Sequence, residues 1–338
     1  NMGWPAKPKM THRGLWWVTW GYLALAIVSA ACLWILADRW WLATVLLFGP
    51  RWVLILPLAV LIPATLVLDR HLLPLSALSG LIILGPVMGF QTNPGSFSIP
   101  EDPGQDIRFV SFNAEGGDKL FTNPHNLLTE WDTHVIGIQE CGRGLWQELR
   151  KVPGWNIDIT SGLCLATRFD IVEVQEMDRE AFEFAGGAGN VVTYTLDTGD
   201  FSFYLTNLHL ESPREGLGMV RAGRLGEGID EVRQKSLLRS VELSQARRWV
   251  DRYQGPHVVV GDFNTPPESR SYREVWSDWQ NAFSEVGRGI GGTRLVGWIR
   301  PRIDHVVADQ NWTVVNSWIE PDAGSDHLPI AAVLRLKK

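Results

Sequence analysis

Two patterns of apolar residues divide this chain. Up to Phe90 the apolar residues run almost unbroken. Gly14–Ala37 holds 24 residues without a charge, and Trp52–Leu68 and Leu72–Phe90 are further uncharged runs. A helix needs about 20 apolar residues to cross a hydrocarbon layer about 30 Å thick. The pattern therefore predicts three transmembrane spans within 14–90, near 14–37, 52–68 and 72–90. Pro57, Pro63, Pro74 and Pro86 interrupt the second and third, a defect that neighbouring helices repair. Arg39–Trp52 is too short to span, with Trp at both ends and a Gly-Pro break before Arg51. It reads as an interfacial or re-entrant segment.

The second pattern begins at Asp106. Short apolar or alternating runs predict strands at Ile107–Ala114, Thr133–Glu140, Val191–Asp197, Phe201–Leu210, Pro256–Phe263, Arg302–Asp309 and Leu328–Leu336. The Thr-Gly-Asp at 198–200 marks a hairpin between two of them. Gly228–Tyr253 carries Val232, Leu237, Val241, Leu243, Ala246 and Val250 near helical spacing. The stretch 91–105, rich in Pro, Gly and Ser, reads as a linker. Many strands with helices among them, in one unit over 106–338, predict an α/β fold of packed sheets with helices outside.

Charge sharpens the division. Before Glu101 there are six basic and two acidic residues, a net of +4; from Glu101 onward there are 25 and 35, a net of −10. Eight of the 17 Trp lie at or before Trp52, as expected of residues that settle at a membrane interface. The tail, 1–13, carries Lys7, Lys9 and Arg13, and Arg70 follows the second span; Arg39 and Arg51 lie between the first and second. Four basic residues against two predict a cytoplasmic tail and an extracytoplasmic catalytic domain. Cys141 and Cys164 would pair only if that domain faces an oxidising compartment.

The candidate chemistry sits where the strands end. Apolar runs finish on Asn113, Glu140, His209, Asp262 with Asn264, Asp304, and Asp326 with His327. One such residue is ordinary turn chemistry. Eight such residues at six run ends in one domain are not, because a buried carboxylate without a partner is costly. Ser212–Lys235 follows His209 and contains Arg214, Arg221 and Arg224 among five glycines. It reads either as a flexible lid that grips an anionic substrate or as a solvated loop.

In order, Asn113, the Gln-Glu at 139–140, His209, the Gly-Asp-Phe-Asn at 261–264, the Arg-Ile-Asp-His at 302–305 and the Ser-Asp-His at 325–327 resemble the endonuclease/exonuclease/phosphatase superfamily. This superfamily includes DNase I-like nucleases and neutral sphingomyelinases. The resemblance implies a four-layer αββα sandwich of two mixed sheets and hydrolysis of phosphate esters with Mg²⁺, or with Mn²⁺ or Ca²⁺ in its place. It further implies that Glu140 holds the metal with Asn113 beside it, and that Asp326 adds to the metal's surroundings. Asp262 would activate or position water, and Asn264 would orient the phosphate. His327, paired with Asp304, would contact the phosphoryl group, and His209 would stabilise the transition state. Whether Asp262 or His327 takes the water proton stays open.

Three functions fit these features. One is a membrane-anchored phosphodiesterase or phosphatase acting on lipid headgroups or other extracytoplasmic phosphate esters. The second is a membrane-tethered nuclease, which the net charge of −10 disfavours because DNA binding needs cationic surface. The third, a non-catalytic binding domain, fits least well, since every expected catalytic position is filled.

Overall fold

The computed structural model describes residues 10–93, 106–120, 123–180, 182, 187 and 189–337. Most of the expected tail (1–9) and linker (94–105) lies outside them.

The N-terminal helices are α1 (Met10–Ala31), α2 (Trp41–Phe48), α3 (Leu58–Leu68) and α4 (Leu73–Ile82). Both α1 and α4 continue into a wider π-helical turn, Cys32–Leu36 and Ile83–Val87 respectively. In the second of these, Pro86 lacks the N–H that a regular turn would use. Three helical stretches are long and apolar enough to cross a membrane: Arg13–Leu36, Arg51–Leu68 and Arg70–Val87. The short α2 lies between the first two, where the interfacial segment is expected. Small residues let these helices approach closely. A Cβ on Gly80 would stand 3.0 Å from the Leu58 side chain, and Ser76 and Ser79 are buried beside it on α4. Much of the remaining apolar surface faces outward, including Trp17, Val60, Val67 and Leu81.

The strands are β1 (Asp106–Asn113), β2 (Val135–Gln139), β3 (Asn156–Thr160), β4 (Leu163–Thr167), β5 (Asp170–Glu176), β6 (Asn190–Asp197), β7 (Ser202–His209), β8 (His257–Asp262), β9 (Gln280–Asn281), β10 (Asp304–Ala308), β11 (Trp312–Ile319) and β12 (Ile330–Leu336). They form two six-stranded mixed sheets, β11-β12-β1-β2-β4-β3 and β9-β10-β8-β7-β6-β5. The sheets face each other across Phe109, Val135, Leu165, Tyr194, Phe203, Val258, Val260 and Trp312. Alternation along each strand sends the next residue to the opposite face. Val110 and Ile136 thus pack under α5 (Pro124–Thr129) and α6 (Arg143–Leu149). Val259 packs under the helices of the other outer layer. A strand covered on both faces reads as a continuous apolar run, which explains the three valines of β8. The result is the αββα sandwich expected.

The outer helices on the second sheet correct one expectation. Ser212–Lys235 is not an open loop: α7 (Arg214–Arg221) and α8 (Leu225–Val250) fill it, so the long helix begins three residues before Gly228. The glycines serve helix contact. A Cβ on Gly216 would meet the Val232 nitrogen at 2.6 Å, and one on Gly228 the Val220 nitrogen at 2.7 Å.

Buried charges join the sandwich to the N-terminal helices. Arg239 of α8 pairs with Asp38, both almost fully buried. Arg51 pairs with Glu268 at 3.1 Å, also buried, and donates to the Val87 carbonyl at 2.7 Å. Burial alone would raise the Glu268 pKa, but Arg51 and Arg302 outweigh it and hold the carboxyl below its ordinary value. Trp52 stacks on Trp298 and donates to its carbonyl. Arg270 and Arg273 donate to the carbonyls of Ile35 and Trp34. Gln91 and Thr92, at the start of the expected linker, pair with Gly289 and Arg288.

Candidate active site

Sheet register brings the polar strand ends together. Asp262 at the end of β8 is paired with His209 of β7 on one side and with Asp304 of β10 on the other. In the facing sheet Asn113 of β1 is paired with Gln139, so Glu140 follows directly beside it. Gly261 is required here, because a Cβ would lie 2.1 Å from the Leu208 carbonyl oxygen. Glu140 and Asn264 both take positive φ, 48° in each case, which turns the chain sharply out of the strand.

The Asn113 amide links the sheets. It donates to Glu140 at 3.0 Å and to Asp262 at 3.1 Å, while its oxygen accepts from the Glu115 N–H at 3.0 Å. His209 Nε2 lies 3.7 Å from both Glu140 and Asp262. His327 is buried, with Nδ1 2.8 Å from Asp304 and Nε2 3.7 Å from Asp262. Burial opposes charge on His327, but Asp304 and Asp262 outweigh it and push the pKa up to about 9. The two carboxylates thus favour the charged imidazole, Arg294 opposes it, and Asp304 holds the ring in one orientation. Burial, then the neighbouring Asp304, raise Asp262 above the ordinary carboxylate range; His327 and His209 pull the other way. Asn264 sits 3% exposed. Its backbone N–H donates to Asp262 at 2.8 Å, and one of its side-chain N–H groups is committed to the Leu210 carbonyl.

All eight strand-end candidates thus converge. The three lid arginines do not stay together. Arg214 approaches Asp326 at 3.7 Å. Arg221 lines a cavity that also reaches Asn264. Arg224, at the N-cap of α8, is exposed and tied to Glu227 in the first turn of that helix.

Two residues lie outside the sequence reading. Arg294 places Nη1 2.6 Å from His327 Nε2 and Nη2 2.5 Å from Asp326. Its loop pairs with 326–328: the Leu295 N–H donates to the Asp326 carbonyl and the Leu328 N–H to that of Thr293. The surrounding Gly291-Gly292-Thr293-Arg294 carries no local mark of this role. Ser325 was also missed. Its hydroxyl donates to the Asn113 carbonyl at 2.7 Å and accepts from the His327 N–H.

The donor set fits a hard divalent cation. Four carboxylates, Glu140, Asp262, Asp304 and Asp326, face two fixed cationic groups, and Asp304 Oδ1 is buried without a hydrogen-bond partner. Asp262, Asp304 and His327 offer ligand atoms within 4.8 Å of one another. Yet His327 Nδ1 is turned to Asp304, and the Arg294 guanidinium crowds Nε2. The carboxylate oxygens of Glu140 and Asp262, bridged by the Asn113 amide, suit Mg²⁺ better, since it prefers oxygen and keeps several waters.

The disulfide left open by the sequence is present: Cys141 and Cys164 are bonded, with Cα atoms 5.7 Å apart. It ties the residue after Glu140 to β4.

Comparison with known proteins agrees with this geometry. No curated protein matches the chain. Three solved structures share the fold. A Danio rerio TDP2 bound to a single-stranded DNA product is 16% identical, with a TM-score of 0.52, covering 68% of this chain and 99% of its own. A mannosyl-6-phosphatase of Bacteroides thetaiotaomicron is 17% identical, with a TM-score of 0.50 and coverage of 68% and 99%. An endonuclease/exonuclease/phosphatase family protein of the same organism is 17% identical, with a TM-score of 0.50 and coverage of 69% and 98%. The family model Endonuclease/Exonuclease/phosphatase family matches residues 110–327, and by that match the chain belongs to this family and is a hydrolase of phosphate esters.

Proposed function

We propose that this protein is a membrane-anchored, divalent-metal-dependent phosphodiesterase whose domain, 106–338, works outside the cytoplasm on lipid headgroups or other surface phosphate esters. The observation that carries the reading is the pair of buried ion pairs, Arg239–Asp38 and Arg51–Glu268. They hold the sandwich directly against helices apolar enough to span, with Glu268 only four residues beyond Asn264. A site held this close to a bilayer meets substrates at its surface. The disulfide supports the extracytoplasmic side, since such bonds persist in oxidising compartments.

In this reading Glu140 and Asp262 would hold the metal, with Asn113 beside them and Asp326 nearby. Once bound, the metal polarises a phosphoryl oxygen and offsets the charge that develops there. Asp262 positions the attacking water. Protonated His327, oriented by Asp304, donates to the phosphoryl group. Arg294 adds positive charge, and His209 a hydrogen-bonding group, where the transition state becomes more negative. The spare N–H of Asn264 orients the phosphate.

The test is hydrolysis by purified full-length protein of a panel of phospholipids and of plasmid DNA, each with and without Mg²⁺. Mg²⁺-dependent lipid turnover without DNA cleavage is expected. DNA cleavage without lipid turnover would favour the nuclease instead.

A further inference from the structure

A cavity of about 390 Å³ opens beside the site, within the roughly 300–1,000 Å³ usual for small-molecule sites. Its walls come from three places distant in sequence. Val45 and Phe48 belong to α2, Leu217 and Val220 to α7, and Ile299 and Ile303 to the stretch before β10. Polar groups line it as well: Asn264 and Arg294, both in the active site, with Arg214 and Arg221. One compartment therefore combines apolar side chains, partly from the helical N-terminal region, with Arg294 of the active site, and Arg214 and Arg294 both approach Asp326.

We infer that this cavity holds the hydrocarbon chain of an amphiphilic phosphate ester drawn from the bilayer, with its phosphate at Arg294 and His327. The inference rests on the phosphoesterase reading above and extends it by naming what the substrate carries besides phosphate. Charge complementarity and continuity argue for this occupant. An anionic headgroup matches the arginines in the lining, and the apolar lining includes α2, the segment between two candidate spans. A soluble sugar phosphate or a nucleotide would leave the apolar lining unfilled. The cavity also gives the apolar residues of α7 a place: Leu217 and Val220 line it and are half-buried.

The experiment uses the full chain in lipid nanodiscs and a series of alkyl 4-nitrophenyl phosphates, from methyl to octyl. Water adds at phosphorus, the bond to 4-nitrophenolate breaks, and absorbance reports turnover. Full burial of a methylene is worth up to about fourfold, so kcat/KM for octyl should exceed that for methyl by tenfold or more. Val220→Trp and Ile299→Trp, which fill the cavity, should each lower the octyl-to-methyl ratio at least fivefold. The bilayer is common to all variants, so partitioning cancels. Equal kcat/KM along the series, or a ratio unchanged in both Trp variants, would overturn the inference. Calorimetric binding of octylphosphonate against methylphosphonate decides the matter independently of turnover. Preference for octyl in the wild type that is lost in the Trp variants supports the cavity; equal affinity overturns it. Absence of all Mg²⁺-dependent hydrolysis, with that preference intact, would instead count against the phosphoesterase reading.

Discussion

Val60 on α3 and Val172 on β5 are both largely exposed, at 71% and 63%, yet they stand in different worlds. Val60 is one of many outward apolar residues on the N-terminal helices. Val172 lies on an edge strand among Glu173, Gln175 and Glu176, and its sandwich buries bulky apolar groups such as Phe109, Phe112 and Trp312. On the membrane-anchored reading proposed above, the same side chain follows opposite rules because the surrounding solvent differs. Lipid removes the reason to hide apolar surface and makes every unpaired backbone group costly; water does the reverse. Polar groups show the same contrast. In the N-terminal helices they turn back on the chain, as Thr19 and Thr65 do on the carbonyls four residues earlier. In the sandwich they gather at one set of strand ends.

The largest expected effect tests whether that gathering is chemistry. Asp262→Asn should lower kcat by about 10³-fold, within the range for a lost acid–base group, and EDTA should do at least as much. The melting temperature should not fall, since a buried, poorly compensated carboxylate is being neutralised. A variant that melts early and stays active would make the cluster structural.

Next comes the joint between the regions. Asp38→Ala leaves Arg239 buried without its partner, a loss of about 3–5 kcal/mol, read as a lower unfolding midpoint of the sandwich. An unchanged midpoint would mean that the two regions are not coupled as described.

The contrast of solvents has its own test. Val60→Lys should cost about 3 kcal/mol in membrane insertion, measured by the glycosylation of a reporter. Val172→Lys should change stability by no more than about 0.5 kcal/mol. Similar small costs at both positions would remove α3 from the bilayer.

The smallest effect concerns Glu242 of α8, which accepts from the N–H groups of Gly189 and Glu211. Burial pushes its pKa up from 4.5 to about 7, with Glu211 adding to the rise and those N–H groups opposing it. The folded chain therefore binds this proton more tightly than the unfolded one. Its contribution is full below pH 4.5, falls as pH rises, and is level again above about 7. The drop is at most on the order of 3 kcal/mol. Glu242→Gln should flatten the melting temperature over that window; an unaltered slope would assign the titration to another group.

The sequence legibly contained whatever is encoded within a few residues. Uncharged runs of sufficient length give the N-terminal helices, the valines of β8 give a strand buried on both faces, and the order of polar strand ends gives the family and the convergent cluster. Glycine misled once. Its abundance at 212–235 suggests flexibility, but Gly216 and Gly228 exist to let α7 and α8 touch, and local sequence does not distinguish loose chain from close packing. Arg294 was illegible for a related reason: an arginine in a Gly-rich loop looks solvated until its partners, His327 and Asp326, are in place.

By itself, then, the sequence determined three helices long and apolar enough to cross a membrane, the strands and helices of the sandwich, and the family to which the polar strand ends belong. These follow from periodicity and residue chemistry, which act over neighbouring positions. Only the tertiary structure decided that Arg51 meets Glu268, 217 residues away, that Cys141 reaches Cys164, and that α2, α7 and the loop before β10 enclose one cavity beside the phosphate site. Each of these depends on distances across the fold, which no local pattern carries.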